Sequence, residues 1–503
     1  MSDAPAGAPP WAVHLPPDVS WQGLDLAAGV SIPAVMAGLA AADAGRPVLY
    51  TPTTGWISRG ALDDETARVA GRFAAAGLRP GDRLLCSANP SAALVIAHVA
   101  ALRSGLVVVP MNTAYQQAEV AHFVADARPA AAVLDRPDAA EWVRRADPTV
   151  LVTGPAVELD DGPVPRLDQA ESGDPALIGY TSGTTGRPKG AVLSHGNLLA
   201  SVESLRLAWR WTPDDRLILA LPLFHAHGLG VALHGTLVTG ASTVVLDHFD
   251  TDDVLDAVVA HDATMFFGVP TMYSRLAVSS RVDILGRLRL LVSGSAPLAA
   301  ELHARILSGS GQVILERYGM TETLMLVSNP YQGQRRAGTV GWPLPGVELR
   351  LAASSSSGEI SVRGPSVFGG YWDRPAGEGF DDEGWFATGD IGRFDDDGYL
   401  SIVGRAKELI ISGGYNIYPR EVEDLLVTHP DVAEAAVIGV PSAEWGETVT
   451  AFVVTVPDSQ LDAAALIAFS RSNLAHFKCP REIRFVTSLP RNAMGKVVRA
   501  QLL

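Results

Sequence analysis

The sequence predicts an α/β fold class: a large N-terminal domain of mixed or parallel sheets with flanking helices and a small β subdomain, then a small C-terminal α+β domain. Three observations predict it. Short apolar runs bounded by turn residues recur through the first 320 or so residues, with helical patterns between them. Beyond about residue 357 the pattern becomes β-rich, and the last hundred residues alternate helices and strands. At 503 residues the chain is too long for a single core, so two or more domains are required.

In chain order, residues 82–110 form one βαβ unit. Asp82–Pro90 is a strand running into a turn, Ser91–Gly105 a helix, and Leu106–Asn112 a second strand. Apolar strands follow at 131–135, 217–223, 242–247, 263–270, 288–297 and 312–319. Pro- and Asp-rich residues 153–175 read as a surface connection, and Ala353–Glu359 as a Ser-rich turn between short strands. Segments 360–372 and 399–404 supply the β-rich part. The final unit reads as a helix at 419–428, strands at 433–440 and 448–456, a helix at 462–475 and a strand at 482–487. No internal repeat is visible.

Composition excludes several function classes. A net charge of −16 argues against a nucleic-acid partner, which needs a basic face. No apolar run reaches 18 residues, so no membrane span is expected. The start, Met1–Trp11, lacks the basic-then-apolar order of a secretory signal. Cys86 and Cys479 are far apart and without metal spacing, as expected of reduced packing residues in a cytoplasmic protein.

The four lysines, Lys189, Lys407, Lys478 and Lys496, each lie in a segment that reads as functional, whereas all other basic residues are arginine. Lys189 ends the densest of these segments. Ala176–Tyr180 reads as an apolar strand, and Thr181–Gly190 follows it directly. Three glycines let the backbone approach a ligand closely. The hydroxyls of Thr181, Ser182, Thr184 and Thr185, with the amides around Gly183, can form an anion-binding nest, and Arg187 and Lys189 add positive charge. The natural guest is a polyphosphate. The GxxxxGK[ST] loop is excluded, because Gly190 stands where a hydroxyl would be needed.

With Pro222–Leu229, Glu316–Thr323, Gly384–Gly392, Gly404–Pro419 and Gly495–Lys496, this loop makes the chain resemble the acyl-adenylate-forming superfamily from about residue 30 to 500. That superfamily includes acyl-CoA synthetases, peptide-synthetase adenylation domains and beetle luciferase. The resemblance implies ATP, Mg²⁺ and coenzyme A as cofactors or co-substrates. The loop hydroxyls, Thr185 among them, and Lys189 would hold the β- and γ-phosphates. Glu316, Arg317 and Tyr318 would bind the nucleotide, with Tyr318 against adenine; Thr321 would contact the α-phosphate and Glu322 the Mg²⁺. The Ser295-Ala296-Pro297 turn would line adenine from the other side, Asp390 would accept from the ribose hydroxyls, and Arg405 would reach the ribose or α-phosphate. Lys496 would bridge the attacking carboxylate and the α-phosphate, offsetting charge as it develops.

The resemblance also implies two poses. Residues 1–404 form the large domain, 405–408 a hinge centred on Lys407, and 409–503 a small mobile domain. One pose brings in Lys496; the other turns Ser412, Gly413 and Gly414 toward the CoA arm. Lys478 would contact CoA phosphates or stand as a solvated lysine. Regulatory acetylation of Lys496 would remove its charge.

The acid is expected to be a small dicarboxylic acid. The resemblance implies an acyl pocket lined by the segments around His227, Ser293, Met325 and the helix opening at Pro270, which carries Arg275. His227 would act as the gate beside the acyl carboxylate, with His225 a core histidine or a second candidate. A buried guanidinium at 275 would pair bidentately with a second carboxylate; the alternative is a salt bridge on the helix surface. Met325 would shape the pocket beside a substrate branch. The strings 221–229, 268–276 and 319–348 resemble malonyl-CoA synthetases, which activate malonate and often methylmalonate. Competing readings are ligases for medium-chain, aryl or amino acids and a catalytically silent nucleotide-binding protein. The second of these would lack Lys496, Glu322 or the loop hydroxyls.

Overall fold

A computed structural model gives the fold; it describes residues 7–27, 29–181, 188–352, 357–412, 415–442, 445–492 and 495–502. Contacts divide the chain into two units, residues 1–348 with 362–386, and residues 349–361 with 387–503.

The first unit holds two sheets. One has six strands in the order Leu151–Thr153, Ala131–Leu134, Arg83–Ser87, Val107–Pro110, Pro175–Thr181, Lys189–Ser194. All but the last pair are parallel. The expected βαβ unit is present as Arg83–Ser87, the helix Ala92–Arg103 and Val107–Pro110. Ser91 caps that helix by accepting the Leu94 N–H.

The other sheet has nine strands. Its centre is the parallel run Arg216–Leu219, Met265–Gly268, Leu290–Ser293 and Leu315–Met320, continued by antiparallel Leu324–Ser328. These strands are short and almost wholly apolar, as parallel strands covered on both faces must be. Leu255, Phe266, Tyr273, Leu291 and Ile306 are fully buried in the helix-covered core beside them.

In the second unit, Glu348–Ala352, Ser357–Arg363, Phe386–Phe394 and Leu400–Arg405 form a four-stranded sheet. The boundary expected at residue 404 falls inside this unit, because the last two strands pair with each other across Asp390 and Arg405. A second sheet contains Tyr415–Ile417, Ile410–Ser412, Gly446–Thr455 and Val432–Ser442, with Glu482–Phe485 parallel to Gly446–Thr455. Helices Pro419–Leu426 and Ala463–Asn473 bury Val422, Leu426 and Leu466 against it. The Ser-rich turn centres on residues 353–356, which lie outside the described residues. Among the described residues no helix is long and apolar enough to cross a membrane.

Three histidines lie together in the core of the first unit. His98 and His234 stack at 5.1 Å and share an Nε2–Nε2 hydrogen bond of 2.8 Å, with His195 beside them. Burial pushes His98 and His195, and elsewhere His14, down to about 4, and His234 well below 6.5. The folded state disfavours the charged form, so its stability is complete above pH 6.5 and is lost as pH falls from there towards 4. Thermal unfolding by circular dichroism should give a steady Tm above neutrality and a falling one below about pH 6.5. An unchanged Tm at about pH 5 would contradict neutral core histidines.

Candidate active site

The site of the first unit is assembled where parallel strands end. Gly268 is registered with Ser293, and Ser293 with Glu316. Two of the strands end at this level, into the helix Pro270–Leu276 and the turn Ser293–Pro297, while Leu315–Met320 runs on through Tyr318 towards Glu322. Side-chain bonds hold these exits in place. Tyr273 is fully buried and donates to the Val292 carbonyl at 2.9 Å, which fixes the helix. Glu316 accepts the Leu298 N–H at 3.1 Å, which fixes the turn. The sequence assigned Glu316 to the nucleotide; its carboxylate anchors the Ser295-Ala296-Pro297 turn. Ser295 is held at φ +70°, a conformation non-glycine residues rarely adopt, and such strain clusters at working sites.

His227 opens a short π-helical segment, His227–Leu233. Gly228 allows this tight turn, since a Cβ there would lie 2.2 Å from the Pro222 carbonyl oxygen. His227 is buried, stacks on Phe267 at 6.4 Å, and has Nδ1 3.5 Å from the Ser295 hydroxyl. Its Nε2 has no hydrogen-bond partner among the described residues. Burial first, then the charge of Arg317, holds His227 well below its ordinary range, so it is neutral.

Arg317, assigned with Glu316 to the nucleotide from the sequence, lies close enough to His227 for its charge to act on it. It is 4% exposed, and its Nε and Nη2 have no hydrogen-bond partner among the described residues. Burial lowers its pKa to about 9, which leaves it charged at neutral pH. Gly294 gives it room, since a Cβ there would stand 2.3 Å from Arg317 Cζ. The fully buried Ser293 hydroxyl is likewise without a partner, and Met325 is buried on the antiparallel strand registered with Gly319.

Arg275 departs from expectation. It lies on the exposed face of Pro270–Leu276, whose buried residues are Tyr273 and Leu276. The argument from a buried guanidinium therefore does not hold at 275; that group is at 317. Nor does Arg275 form a salt bridge among the described residues, so the surface-pair alternative is not observed.

The Gly- and hydroxyl-rich segment connects two antiparallel strands, with Thr181 registered opposite Lys189. Ser182, Gly183, Thr184 and Thr185 lie outside the described residues. Below the loop, Gly179 brings in the Tyr318–Glu322 segment: a Cβ on it would meet Thr321 Cγ2 at 2.4 Å. Lys189 pairs with Glu378 at 2.5 Å and lies 5.3 Å from the Tyr371 ring centre. Tyr371 donates to buried Glu322 at 3.0 Å, and burial with this carboxylate raises the phenol above its ordinary range. Glu378, Tyr371 and Phe267 were not singled out in the sequence. They are single residues in ordinary strings, and only tertiary folding brings them in.

In the second unit, Asp390 is buried and pairs with Arg405 Nε at 3.0 Å. Thr388 accepts the Asp390 N–H and donates to Ile360, which shapes the turn. Lys496 lies half-buried beside this pair. Burial first, then Arg405, lowers its pKa, against the opposing pull of Asp390 and Glu408. Lys407 is exposed on the 3-10 turn Ala406–Glu408. Ser412 is buried at a strand end, and Gly413 and Gly414 lie outside the described residues. Lys478 is neither free nor fully solvated: it binds both Glu421 oxygens, at 2.6 and 2.8 Å, tying its turn to Pro419–Leu426.

Comparison with known proteins identifies the family. The sequence profile of the AMP-binding enzyme family matches residues 39–372, and that of the AMP-binding enzyme C-terminal domain matches residues 421–496. A feruloyl-CoA synthase of Amycolatopsis sp is 39% identical over 456 residues, 88% of this chain and 92% of that protein. A mitochondrial malonate–CoA ligase of Mus musculus is 37% identical over 477 residues, 83% and 80% of the two chains. The crystal structure of ATP-bound MatB from Rhodopseudomonas palustris superposes with a TM-score of 0.87 at 41% identity, covering 93% of this chain and 98% of that one. The chain belongs to the AMP-binding enzyme family and is an AMP-forming acyl-CoA synthetase, an acid–CoA ligase.

Proposed function

We propose that the acid is malonate, with methylmalonate also accepted. The observation that carries this reading is the Arg317 guanidinium, buried with two of its nitrogens unpartnered beside neutral His227. A buried charge without a counter-ion is costly, and an acid whose second carboxylate binds there removes the cost. Arg275, free of ion pairs among the described residues and on the helix leaving the next strand end, is the second candidate for that carboxylate. The relative named for feruloyl-CoA favours an aryl acid as the competing reading. A neutral aromatic acyl group would leave Arg317 unpaired, which counts against it.

In this proposal Thr181, the loop hydroxyls and Lys189 hold the ATP phosphates, and Glu378 gives up Lys189 to them. Tyr318 and the Ser295–Pro297 turn hold adenine, Thr321 the α-phosphate, and Asp390 with Arg405 the ribose. Glu322 is a hard oxygen donor that fits Mg²⁺, a cation held by few protein ligands together with phosphates; the ion would neutralise phosphate charge. One substrate carboxylate oxygen attacks the α-phosphorus, the bond to the bridging oxygen breaks, and pyrophosphate leaves. His227 stays neutral and leaves the attacking carboxylate ionised. Lys496 lies across the two meeting anions. A rotation about Lys407 then presents Ser412–Gly414, the CoA sulfur attacks the acyl carbon, and AMP leaves. The reading includes a cytoplasmic location.

The acid preference and single substitutions test this. A panel of acids assayed by CoA-dependent AMP release should place malonate and methylmalonate ahead of butyrate, octanoate and benzoate. Arg317→Met, which swaps a buried charge for an apolar chain, should cost malonate about 100-fold more in kcat/KM than butyrate, about 3 kcal/mol; equal losses would refute the receptor role. Arg275→Met on the same panel should show a smaller loss of the same kind. Lys496→Ala should abolish adenylate formation and spare thioester formation from supplied acyl-adenylate; equal damage to both would remove Lys496 from the first step.

A further inference from the structure

We propose that Arg499 is a positioning residue for adenylate formation: its guanidinium clamps the chain just beyond Lys496 to Glu408 and Glu423, and so holds the turn that presents the lysine. The inference rests on the reading of Lys496 as the adenylation lysine.

The turn itself is short. Asn492 N–H donates to the Lys496 carbonyl at 2.9 Å, Lys496 N–H to Asn492 Oδ1 at 3.0 Å, and Val498 N–H to the Pro490 carbonyl at 2.8 Å. Gly495 closes it at φ +73°. These bonds give the turn its shape but not its place. Two arginines at its base supply the place. Arg491 reaches Glu434 at 2.8 Å, a half-exposed pair of the kind that contributes little. Arg499 is different. Its Nη1 lies 3.0 Å from Glu408, and its Nη2 lies 2.7 and 3.0 Å from the two Glu423 oxygens.

Glu423 is 14% exposed in its side chain and also accepts the Val437 N–H at 2.7 Å. Its carboxylate is thus fixed to both the Pro419–Leu426 helix and the Val432–Ser442 strand. Glu408 is the residue after Lys407, the proposed hinge. One guanidinium therefore joins three things: the lysine-bearing turn, the sheet of the small domain, and the chain leaving the hinge. Leu502, buried beside Ala436, Ile438 and Phe452, seats the tail but carries no direction toward the hinge. A planar fork can serve two carboxylates at once, and an ammonium cannot do so at the same geometry. Arg499 also screens Lys496 from Glu408, since its charge lowers the lysine pKa while that of Glu408 raises it.

The test uses the full-length chain and separates the half-reactions. Pyrophosphate exchange reports adenylate formation with the best acid, and CoA consumption from synthetic acyl-adenylate reports the thioester step. Arg499→Ala should lower the kcat of exchange by about 10- to 100-fold, the scale of a misplaced reacting group, with the KM for ATP and the thioester step changed by less than about 3-fold. Arg499→Lys should recover only part of the loss, and Glu408→Gln, which keeps the Glu423 pair and the fold, should show the same split more weakly. The alkaline limb of the exchange rate should move up in pH in Arg499→Ala, as Lys496 gains Glu408. Equal loss in both half-reactions makes Arg499 a general stabiliser and overturns the proposal, as does no loss in exchange. Lys496→Ala is run alongside. If it splits the half-reactions and Arg499→Ala does not, the positioning role alone is lost; if it does not split them, the reading of Lys496 falls first and takes the clamp with it.

Discussion

The register of three short parallel strands is the constraint on which the site of the first unit depends. Gly268, Ser293 and Glu316 stand side by side, so the helix carrying Arg275, the turn through Ser295 and the segment from Tyr318 to Glu322 all leave the sheet at one edge. A slip of one residue in any strand would send alternate side chains to the opposite face. It would part Ser293 from the exit of its neighbour and turn Arg317 out of its pocket. The Tyr273 bond to Val292 and the Glu316 bond to Leu298 work against such a slip. Each ties an exit to a strand: Tyr273 on the helix to Val292 in the next strand, and Leu298 after the turn to Glu316 in the strand beyond.

Two cations of the first unit stand at different depths. Lys189, half-buried, is paired with the carboxylate of Glu378, which the proposed reading has phosphates replace. Arg317 lies deeper, and its Nε and Nη2 have no such substitute among the described residues. In a low-dielectric interior the difference matters. A placeholder ion pair near water is worth about 1 kcal/mol or less, whereas desolvating a single ion costs several. Neutral His227 keeps a second cation from adding to that cost. In the proposed reading, a phosphate would therefore enter against modest competition, and Arg317 would favour an acid that brings a second anion.

Local pattern made much of the fold legible in the sequence. The βαβ unit near residue 100 and the helix–strand alternation of the last hundred residues are within a few residues of the observed elements, because apolar runs and turn residues specify them without reference to distant parts of the chain. Tertiary placement was not legible. Arg275 lies on a helix after an apolar strand and Arg317 within a strand, and nothing in their neighbours tells which is buried; Tyr273 settles it for Arg275 by turning its own side of the helix inward. The strand Lys189–Ser194 pairs back on Pro175–Thr181, which the glycines and hydroxyls between them do not announce. Likewise Asp390 and Arg405 are fifteen positions apart in sequence and opposite one another in a hairpin, which draws the unit boundary ahead of residue 404. Glu378 sits in an acidic, glycine-rich string with no motif, and only the fold pairs it with Lys189.

The sparing use of lysine takes on a physical meaning when set beside the arginines. Arg289 with Asp215, Arg103 with Asp168 and Arg499 with two glutamates are fixed joints, in which a rigid fork meets carboxylates that do not leave. The three half-buried lysines occupy other kinds of place. Lys189 holds Glu378, which a phosphate would displace in the proposed reading, Lys478 a glutamate on a neighbouring helix, and Lys496 a position between opposing charges with no salt bridge among the described residues. An ammonium on a flexible stem can follow charge as it moves between two groups, whereas a guanidinium held at two ends cannot. If Lys496 and Arg499 act as proposed, their spacing of three residues uses both properties: the arginine would fix where the turn stands, and the lysine would move from it.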